Sequence, residues 1–230
     1  MEIIDLNGKL EVFFITNGRS TAPYAQHSLD EQLGVKFKMT VHKDMDWLEA
    51  NRRILDVCKS RFFLRVDDDM ILNGHAISYM WLCLEKQSSI TALRGWKLWE
   101  PYSNKVVKGI KAYDFELAKK IGFRISNIGK IDKLFTQDAE KTDYRVRYGN
   151  DVVGVHACSN YDEHLRYALM RGEQKGKDFK AEKRWMKKVI TGYDESLEKQ
   201  KKLTGRFLYR VNKKHRTGFY RFIKEIKAEE

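Results

Sequence analysis

Short apolar segments alternate with polar turns and helical patterns along the first half of the chain. An apolar run over Leu10–Thr16 is followed by a polar loop, and Pro23 and Gly34 enclose a segment that is predicted to be helical. The next residues, Val35–Val41, alternate between apolar and polar with a period of two. This order predicts a strand, a helix and a second strand.

Two further strand and helix pairs follow. Asp46 and Glu49 have the spacing of an acidic capping box ahead of an amphipathic helix. Apolar residues over 61–66 predict a strand that leads directly into three aspartates, after which Asn73 is predicted to cap a helix. Three such units in about 85 residues predict a parallel sheet, and parallel sheets bind ligands beyond the carboxyl ends of their strands.

The second half of the chain is more mixed. Strands are predicted over residues 89–93, 105–110, 144–148 and 152–156, and a helix over 114–121 that ends at Gly122. The predicted fold class is therefore α/β. We expect one domain over residues 1–165 with a mixed, mainly parallel sheet, and a basic, mainly helical C-terminal extension over residues 166–230.

The composition excludes several classes of protein. With 42% hydrophobic residues among 230, the chain can bury a substantial core and is not disordered throughout. Its longest uninterrupted apolar stretch, Tyr79–Leu84, has six residues, whereas a membrane-spanning helix needs roughly 20. Because the first residues also lack the pattern of a secretory signal, the expected location is cytoplasmic. The three cysteines form no Cys-x-x-Cys unit and are expected to be reduced.

The net charge of +12 is concentrated near the C-terminus, where residues 171–230 contain 19 Lys and Arg against 9 Asp and Glu. Lys183–Lys188 and Phe219–Ile223 mix aromatic and basic side chains. Such segments suit peripheral contact with an anionic membrane, binding of single-stranded nucleic acid, or packing of the aromatic rings on the preceding domain. Of the two partners, the membrane surface is favoured over nucleic acid.

Three adjacent aspartates, Asp67, Asp68 and Asp69, stand at the end of a predicted strand. Carboxylates crowded there repel one another and lose hydration, which costs free energy unless a cation or hydrogen bonds compensate. Oxygen ligands suit Mg²⁺ or Mn²⁺, with substrate phosphates completing the coordination. A solvated acidic turn that caps the next helix is the alternative, but the position at a strand end favours a metal site.

Three elements together resemble the nucleotide-sugar-dependent glycosyltransferases of the GT-A fold, most closely those of family 2. Phe14–Arg19 is similar to that family's first strand and nucleotide loop, and Phe63–Asp69 is similar to the strand that ends in its metal-binding Asp-x-Asp (DXD) motif. Asp132, Tyr144 and His156 have the spacing of an acidic residue that opens a helix, a tyrosine and a downstream histidine in that family. The resemblance covers roughly residues 10–160.

The chain departs from the family pattern at several positions. Ile131 stands where the family has Glu, and Asp143 stands where it has Gly. The Gln-x-x-Arg-Trp motif of the processive enzymes has a faint counterpart in Arg184-Trp185, with Ala181 in place of Gln. The first departure affects the assignment of the base, and the last argues against a processive polysaccharide synthase.

The resemblance implies a role for each matching residue. Asp69 and His156 would bind the metal, Mn²⁺ or Mg²⁺, and Asp132 would be the general base, with Asp138 as the fallback. Nucleotide-sugar binding is assigned to Thr16, Asn17, Gly18, Arg19, Asp44, Arg52, Asp67 and Asp68. The alternatives are structural: a satisfied histidine at His156, a helix cap at Asp132, and surface side chains at Asp44 and Arg52.

Two tryptophans beside a glycine, Trp96 and Trp99, could offer apolar faces to the sugar of an acceptor. Tryptophans buried in the core are the alternative. The expected function is a metal-dependent glycosyltransferase of the hexosyl- or deoxyhexosyl-transferase class, and the family implies inversion at the anomeric carbon. It would use a UDP- or GDP-linked sugar and a hydroxyl of a glycan or glycolipid acceptor. A metal-dependent nuclease or phosphotransfer enzyme, or a non-catalytic nucleic-acid-binding protein, is the alternative.

Overall fold

Strands and helices alternate through most of the chain, as the sequence predicts. The computed structural model describes residues 2–19, 21–100, 105–124, 131–156, 208 and 212–229. In these residues the elements are β1 (Ile4–Asp5), β2 (Leu10–Thr16), α1 (Ala22–Asp30), β3 (Val35–Lys36), β4 (Lys38–Lys43), α2 (Trp47–Val57), β5 (Phe62–Asp67), β6 (Met70–Leu72), α3 (Ala76–Glu85), β7 (Thr91–Glu100), β8 (Lys105–Asp114), α4 (Phe115–Ile121), α5 (Ile131–Lys141), β9 (Arg145–His156) and α6 (Gly218–Glu229).

The main sheet has seven strands in the order β4-β2-β5-β8-β7-β9-β6, and β1 pairs with β3 in a separate small sheet. β4, β2 and β5 are parallel to one another, so that Phe14 lies beside Val41 on one side and Val66 on the other. β8 is antiparallel to both of its neighbours, and β6 is antiparallel to β9. The predicted mixed, mainly parallel α/β architecture is confirmed, and the carboxyl ends of β2 and β5 lie side by side.

Side chains of the central strands alternate between two apolar cores. In β2, Val12 and Phe14 pack with α1, α3 and α6 on one face, which we call face A. Phe13 and Ile15 pack with α2, α4 and α5 on the other, face B. Every residue of β2 is buried, including Glu11, because helices cover both faces.

Two strands differ in length from the sequence predictions. The strands predicted over 144–148 and 152–156 form the single strand β9, because irregularities in its pairing with β7 absorb the polar residues between them. β7 extends to Glu100, well beyond the predicted end at Leu93, because β8 and β9 pair with it along most of its length.

The predicted cap at Asn73 is wrong. Helix α3 begins at Ala76, and His75 occupies the N-cap position without a side-chain cap. Asn73 Oδ1 accepts a hydrogen bond from His75 N at 3.0 Å instead, which closes a turn ahead of the helix.

The described part of the C-terminal segment packs on the sheet. In α6, the rings of Phe219 and Phe222 lie 5.1 and 5.5 Å from the ring of Tyr79 on α3. Asn212 pairs with the backbone of Val152 through bonds of 2.7 and 3.0 Å. Of the three roles considered for the aromatic side chains of this segment, packing on the preceding domain is the one observed for Phe219 and Phe222. The Lys183–Lys188 segment, the Arg184-Trp185 pair and the predicted boundary between residues 165 and 166 lie outside the described residues.

No helix within the described ranges is both long enough and apolar enough to cross a bilayer.

Gly95 leaves room for the ring of Tyr148, which lies across it on face B. A Cβ at position 95 would come 2.5 Å from Tyr148 Cδ1, far inside normal contact. We expect Gly95→Ala to lower the free energy of unfolding by about 1–3 kcal/mol, as overpacked cores do, in chemical denaturation. Gly74→Ala is the matched control, because its Cβ would make an ordinary contact of 3.6 Å with Leu33. Equal stability of the two variants would contradict this reading of the Tyr148 ring.

Candidate active site

The loops that follow β2 and β5 are joined by the central aspartate of the triplet. Asp68 Oδ2 accepts hydrogen bonds from Thr16 Oγ1 at 2.9 Å and from Asn17 N at 3.0 Å. Thr16 Oγ1 in turn accepts from Gly18 N at 3.0 Å. Gly18 has φ +71°, a conformation that glycine adopts without strain. Asp68 therefore positions the predicted nucleotide loop rather than pointing into the open site.

Asp69 is the point at which three distant segments meet. Arg19 Nη1 donates to Asp69 Oδ2 at 2.8 Å, and His156 Nε2 lies 3.5 Å from the same oxygen. His156 Nδ1 lies 3.2 Å from Glu100 Oε1 at the end of β7. Burial alone would lower the pKa of His156, but its hydrogen bonds to Asp69 and Glu100 outweigh burial and raise that pKa to about 10. The imidazole is thus held as a cation between two carboxylates.

Asp67 is buried and incompletely satisfied. Its nearest cation is Arg65, whose Nε lies 3.7 Å from Asp67 Oδ1, and that oxygen has no hydrogen-bond partner within the described part of the chain. Burial raises the pKa of the Asp67 carboxyl to about 6, and the charge of Asp69 adds to the effect while Arg65 opposes it. A second cation close to this oxygen would offset the cost of burying the carboxylate.

The residues present fit a divalent metal that shares its coordination with a substrate. Asp67 and Asp69 supply oxygen donors of the kind Mg²⁺ and Mn²⁺ prefer, and Asp67 Oδ1 is buried without a hydrogen bond, with only the Arg65 guanidinium near it at 3.7 Å. In the ranges that the structure describes, no three His, Cys, Asp or Glu side chains are grouped closely enough to hold a metal alone. The remaining ligands would therefore have to come from water and substrate phosphates.

Asp132 lies over a pair of cationic side chains on face B. Arg65 and Lys111 face each other across β5 and β8. Arg65 Nη2 lies 3.0 Å from both carboxylate oxygens of Asp132, Lys111 Nζ donates to Oδ2 at 2.8 Å, and the Tyr113 hydroxyl donates to Oδ1 at 3.2 Å. Burial would raise the pKa of Asp132, but Arg65 and Lys111 hold it well below its ordinary range. Asp132 is therefore ionised at neutral pH.

Arg65 connects Asp132 to the triplet. Its guanidinium contacts Asp132 and Asp67, as described above, and its Nη1 donates to Asn51 Oδ1 at 3.0 Å. Trp47 also covers it, with its ring centroid 4.9 Å from Arg65 Cζ. The Arg65 side chain is only 4% exposed. One buried cation thus holds the two carboxylates on either side of it.

Sequence reasoning missed Arg65, Lys111, Asn51 and Glu100. For Arg65 and Lys111 a signal was present, because an ionised side chain within a buried apolar strand is costly unless a carboxylate pairs with it. Asn51 and Glu100 carry no comparable signal, because their roles depend only on what lies near them in the fold.

Two predicted nucleotide-binding residues lie in different places. Asp44 N donates to Thr16 O at 3.0 Å, and its exposed side chain stands at the same edge of the sheet as the loop. Arg52 is exposed in a hollow formed by α2 and its N-cap, whereas its neighbour Asn51 contacts Arg65. The structure therefore brings Asp44 to the site and leaves Arg52 outside it.

The two tryptophans predicted to receive an acceptor sugar are buried. Trp96 is 0% exposed in the face A core, and Trp99 is 5% exposed beside Val152, Val155 and Leu208. A sugar cannot stack on a ring that has no free face, so the structure corrects this prediction. Both rings are core residues, because the strand predicted to end at residue 93 continues through them.

Asp138 is directed away from Asp132. Six residues along α5 correspond to a rotation of about 240° around the helix axis. The Asp138 carboxylate pairs instead with Arg124, at 2.7 Å, and with Lys141, at 3.5 Å. Asp132 is thus the better placed of the two candidate bases.

The Thr16 hydroxyl links both loops, so its removal breaks hydrogen bonds to both Asp68 and Gly18. We expect Thr16→Val to lower the free energy of unfolding by about 1–3 kcal/mol, because Asp68 loses a buried partner. Thr16→Ser keeps the hydroxyl and should retain most of the stability. Chemical denaturation of the two variants measures the difference, and no loss in Thr16→Val would show that the link is unimportant.

Known proteins share the fold without close sequence similarity. No protein-family model matches the chain, and no curated protein matches its sequence. The structure of TarS 1–349 from S. aureus is 15% identical, with 70% of this chain and 64% of that chain covered and a TM-score of 0.52. The mannosyltransferase PcManGT from Pyrobaculum calidifontis, in complex with GDP-Man and Mn²⁺, is 12% identical, with 96% and 79% covered and a TM-score of 0.48.

A synthase is among the structural neighbours as well. 4-Diphosphocytidyl-2C-methyl-D-erythritol synthase from Anaerococcus prevotii is 10% identical, with 72% of this chain and 97% of that chain covered and a TM-score of 0.48. At such identities the likeness is one of fold. The expected α/β fold of the GT-A type is confirmed.

Proposed function

We propose that the protein is a metal-dependent glycosyltransferase that moves a hexosyl or deoxyhexosyl group from a nucleoside-diphosphate sugar to a hydroxyl of a glycan or glycolipid acceptor. One observation carries the proposal. The loop after β2, the triplet after β5 and the histidine at the end of β9 are far apart in the sequence, yet they meet around Asp68 and Asp69. Their meeting at the carboxyl ends of parallel strands supports a site for a nucleotide ligand.

The donor would bind across the joined loops. The backbone at Asn17 and Gly18 can approach a nucleotide closely, and exposed Asp44 stands beside it for contact with the nucleoside. Arg19, now paired with Asp69, carries charge that can serve a diphosphate. Asp67, predicted from the sequence to contact the nucleotide sugar, and Asp69 would hold Mn²⁺ or Mg²⁺. His156, the other predicted metal ligand, is protonated between Asp69 and Glu100 and would have to lose that proton before it could bind the metal. When bound, the metal supplies Lewis-acid stabilisation of the charge that develops on the departing diphosphate.

Asp132 is the proposed acceptor of the proton from the attacking hydroxyl. A carboxylate between Arg65 and Lys111 has a low proton affinity, but the hydroxyl becomes strongly acidic as its oxygen bonds to the anomeric carbon. A late proton transfer to Asp132 is therefore feasible. Direct displacement by the hydroxyl would invert the anomeric centre, the outcome that the resemblance to family 2 implies.

The nuclease alternative has less support from the side chains. It requires further carboxylates near the triplet, which would have to come from acidic residues such as Asp44 or Asp151. Asp151 lies five residues before His156 on the extended strand β9, and its Oδ1 accepts a hydrogen bond from Phe219 N at 2.8 Å. This carboxylate serves the docking of α6.

The products of the reaction test the proposal. We expect the protein with Mn²⁺ to release a nucleoside diphosphate from one member of a panel of UDP- and GDP-linked sugars when acceptor is present, and a chelator to stop the release. A nucleotidyltransferase would instead form pyrophosphate from a nucleoside triphosphate and a sugar phosphate. Pyrophosphate release, with no nucleoside diphosphate from any sugar donor, would overturn the proposal.

Asp132→Asn should separate chemistry from donor binding. We expect the rate of transfer to fall by about 10²- to 10⁴-fold, the usual contribution of a general base. Binding of the nucleoside diphosphate with Mn²⁺ should persist, because Asp132 is not among its proposed ligands. Transfer rates and calorimetric titration measure the two effects. Asp138→Asn is the matched control, and equal rates in the two variants would remove Asp132 from the mechanism.

A further inference from the structure

An open cleft adjoins Asp132 on face B, between α5 and strands β8 and β9. It has a volume of about 440 Å³ and is lined by Lys108, Lys111, Asp132, Lys133, Gln137 and Tyr148. We call it the lysine cleft. It begins beside the carboxylate proposed to take the proton of the acceptor hydroxyl, so whatever occupies it lies next to the reacting group.

The cleft carries more positive charge than its own carboxylate can balance. Lys111 is occupied, since its Nζ bonds to Asp132 and to Gly109 O, and Asp132 is shared with Arg65. Lys108 Nζ lies over the ring of Tyr148, 4.1 Å from its centroid, and forms no ion pair with a carboxylate of the described residues. Two further ammonium groups, on Lys108 and Lys133, therefore face the same space.

The strand pairing adds a second, independent sign of an anion. Lys108 on β8 lies directly opposite Lys97 on β7. Like charges opposite each other on neighbouring strands destabilise a sheet. Lys97 Nζ donates to Asn150 Oδ1 at 2.8 Å, a neutral partner that leaves its charge uncompensated. An anion bound to Lys108 in the cleft would offset part of this repulsion.

Resting on the proposed sugar transfer, we infer that the lysine cleft binds a phosphate group of the acceptor and so presents the acceptor hydroxyl to Asp132. Lysine ammonium groups are compact point charges that bind phosphate well, and the charge of a phosphate group, about −1.5 to −2, can balance two of them. The amide of Gln137 offers a further donor, and the Tyr148 ring forms an apolar wall beside the charges. The acceptor is thus a phosphorylated glycan or a phosphate-bearing glycolipid that also carries the attacking hydroxyl.

The test is calorimetric titration of inorganic phosphate into the protein at constant ionic strength, with divalent metal chelated so that the aspartate triplet does not recruit the anion. We expect Lys108→Ala and Lys133→Ala each to weaken phosphate binding by about tenfold, because each removes a charged donor. Lys133→Arg should keep most of the affinity. Lys86→Ala, which removes an exposed lysine after α3, is the matched control and should bind as the unaltered protein does. Equal affinity in all of these proteins would overturn the inference.

Binding of nucleoside diphosphate with Mn²⁺ to the same variants separates this inference from the proposed function. Unchanged nucleotide binding with weakened phosphate binding is the expected result. If nucleotide binding is intact but phosphate affinity is the same in the Lys108 and Lys133 variants as in the unaltered protein, only the inference about the cleft is overturned. If no protein binds the nucleotide, the proposed transferase function is overturned as well. Co-sedimentation with phosphatidylcholine vesicles containing phosphatidic acid distinguishes a lipid-borne phosphate from a soluble one. If the Lys108 and Lys133 variants sediment less than the unaltered protein, the phosphate is borne by a lipid. If all proteins sediment equally, the phosphate belongs to a soluble acceptor.

Discussion

Asp69→Asn is expected to lower the rate of sugar transfer by about a hundredfold or more, because it weakens the binding of the metal that would stabilise the leaving diphosphate. Asp69 is the carboxylate at which Arg19 and His156 converge, so no neighbouring acidic side chain of the described residues is equally placed to replace it. Asparagine has nearly the same shape as aspartate and should preserve the packing of the loop. Rates measured across a range of Mn²⁺ concentrations will show whether added metal restores part of the activity.

Asp143→Asn provides the matched control for this variant. Asp143 is exposed and has φ +62°, a conformation that asparagine also tolerates, so the same chemical change occurs there without strain. The control should transfer sugar and unfold as the unaltered protein does. A rate for Asp69→Asn close to that of the control would exclude Asp69 as a metal ligand.

Arg65→Met is expected to lower the free energy of unfolding by about 3 kcal/mol or more, because it leaves Asp67 and Asp132 without the buried cation that lies between them. Methionine fills much of the space of the arginine stem, so the loss reports on the charge rather than on a cavity. For a chain of this size, that loss corresponds to about 6 °C or more in the melting temperature.

Arg53→Met is the control for this second variant, because Arg53 is exposed on the outer surface of α2. Surface substitutions of this kind usually change stability by less than about 0.5 kcal/mol. Denaturation of both variants by urea gives the comparison. If Arg65→Met were as stable as Arg53→Met, the guanidinium would not be holding the two carboxylates in place.

The elements that sequence predicts best are the strands that helices cover on both faces. β2 and β5 are nearly continuous apolar runs because each of their side chains is buried, and the polar loops that follow them are therefore easy to recognise. For this reason the sequence alone places the nucleotide loop and the aspartate triplet at the carboxyl edge of a parallel sheet. Their contact through Thr16 and Asp68 follows from the parallel pairing of the two strands.

Features that depend on pairing between distant segments could not be predicted from the sequence. The length of β7 is set by the strands on either side of it, and this buries Trp96 and Trp99, which their sequence neighbours left ambiguous. The low pKa of Asp132 depends on two cations that lie 67 and 21 residues away along the chain. The lysine cleft likewise combines residues of β8, α5 and β9, so no local sequence pattern predicts it.

Thermal unfolding with a panel of UDP, GDP, dTDP and CMP, each with and without Mn²⁺, shows directly whether a metal held by Asp69 binds the donor nucleotide. A ligand at 100 times its dissociation constant stabilises the folded protein by about 2.7 kcal/mol, so a bound donor nucleotide is easily detected. We expect a rise in melting temperature with one nucleotide, a rise that requires Mn²⁺ and disappears in Asp69→Asn. No rise with any of the four, or a rise of equal size without metal and in Asp69→Asn, would contradict it.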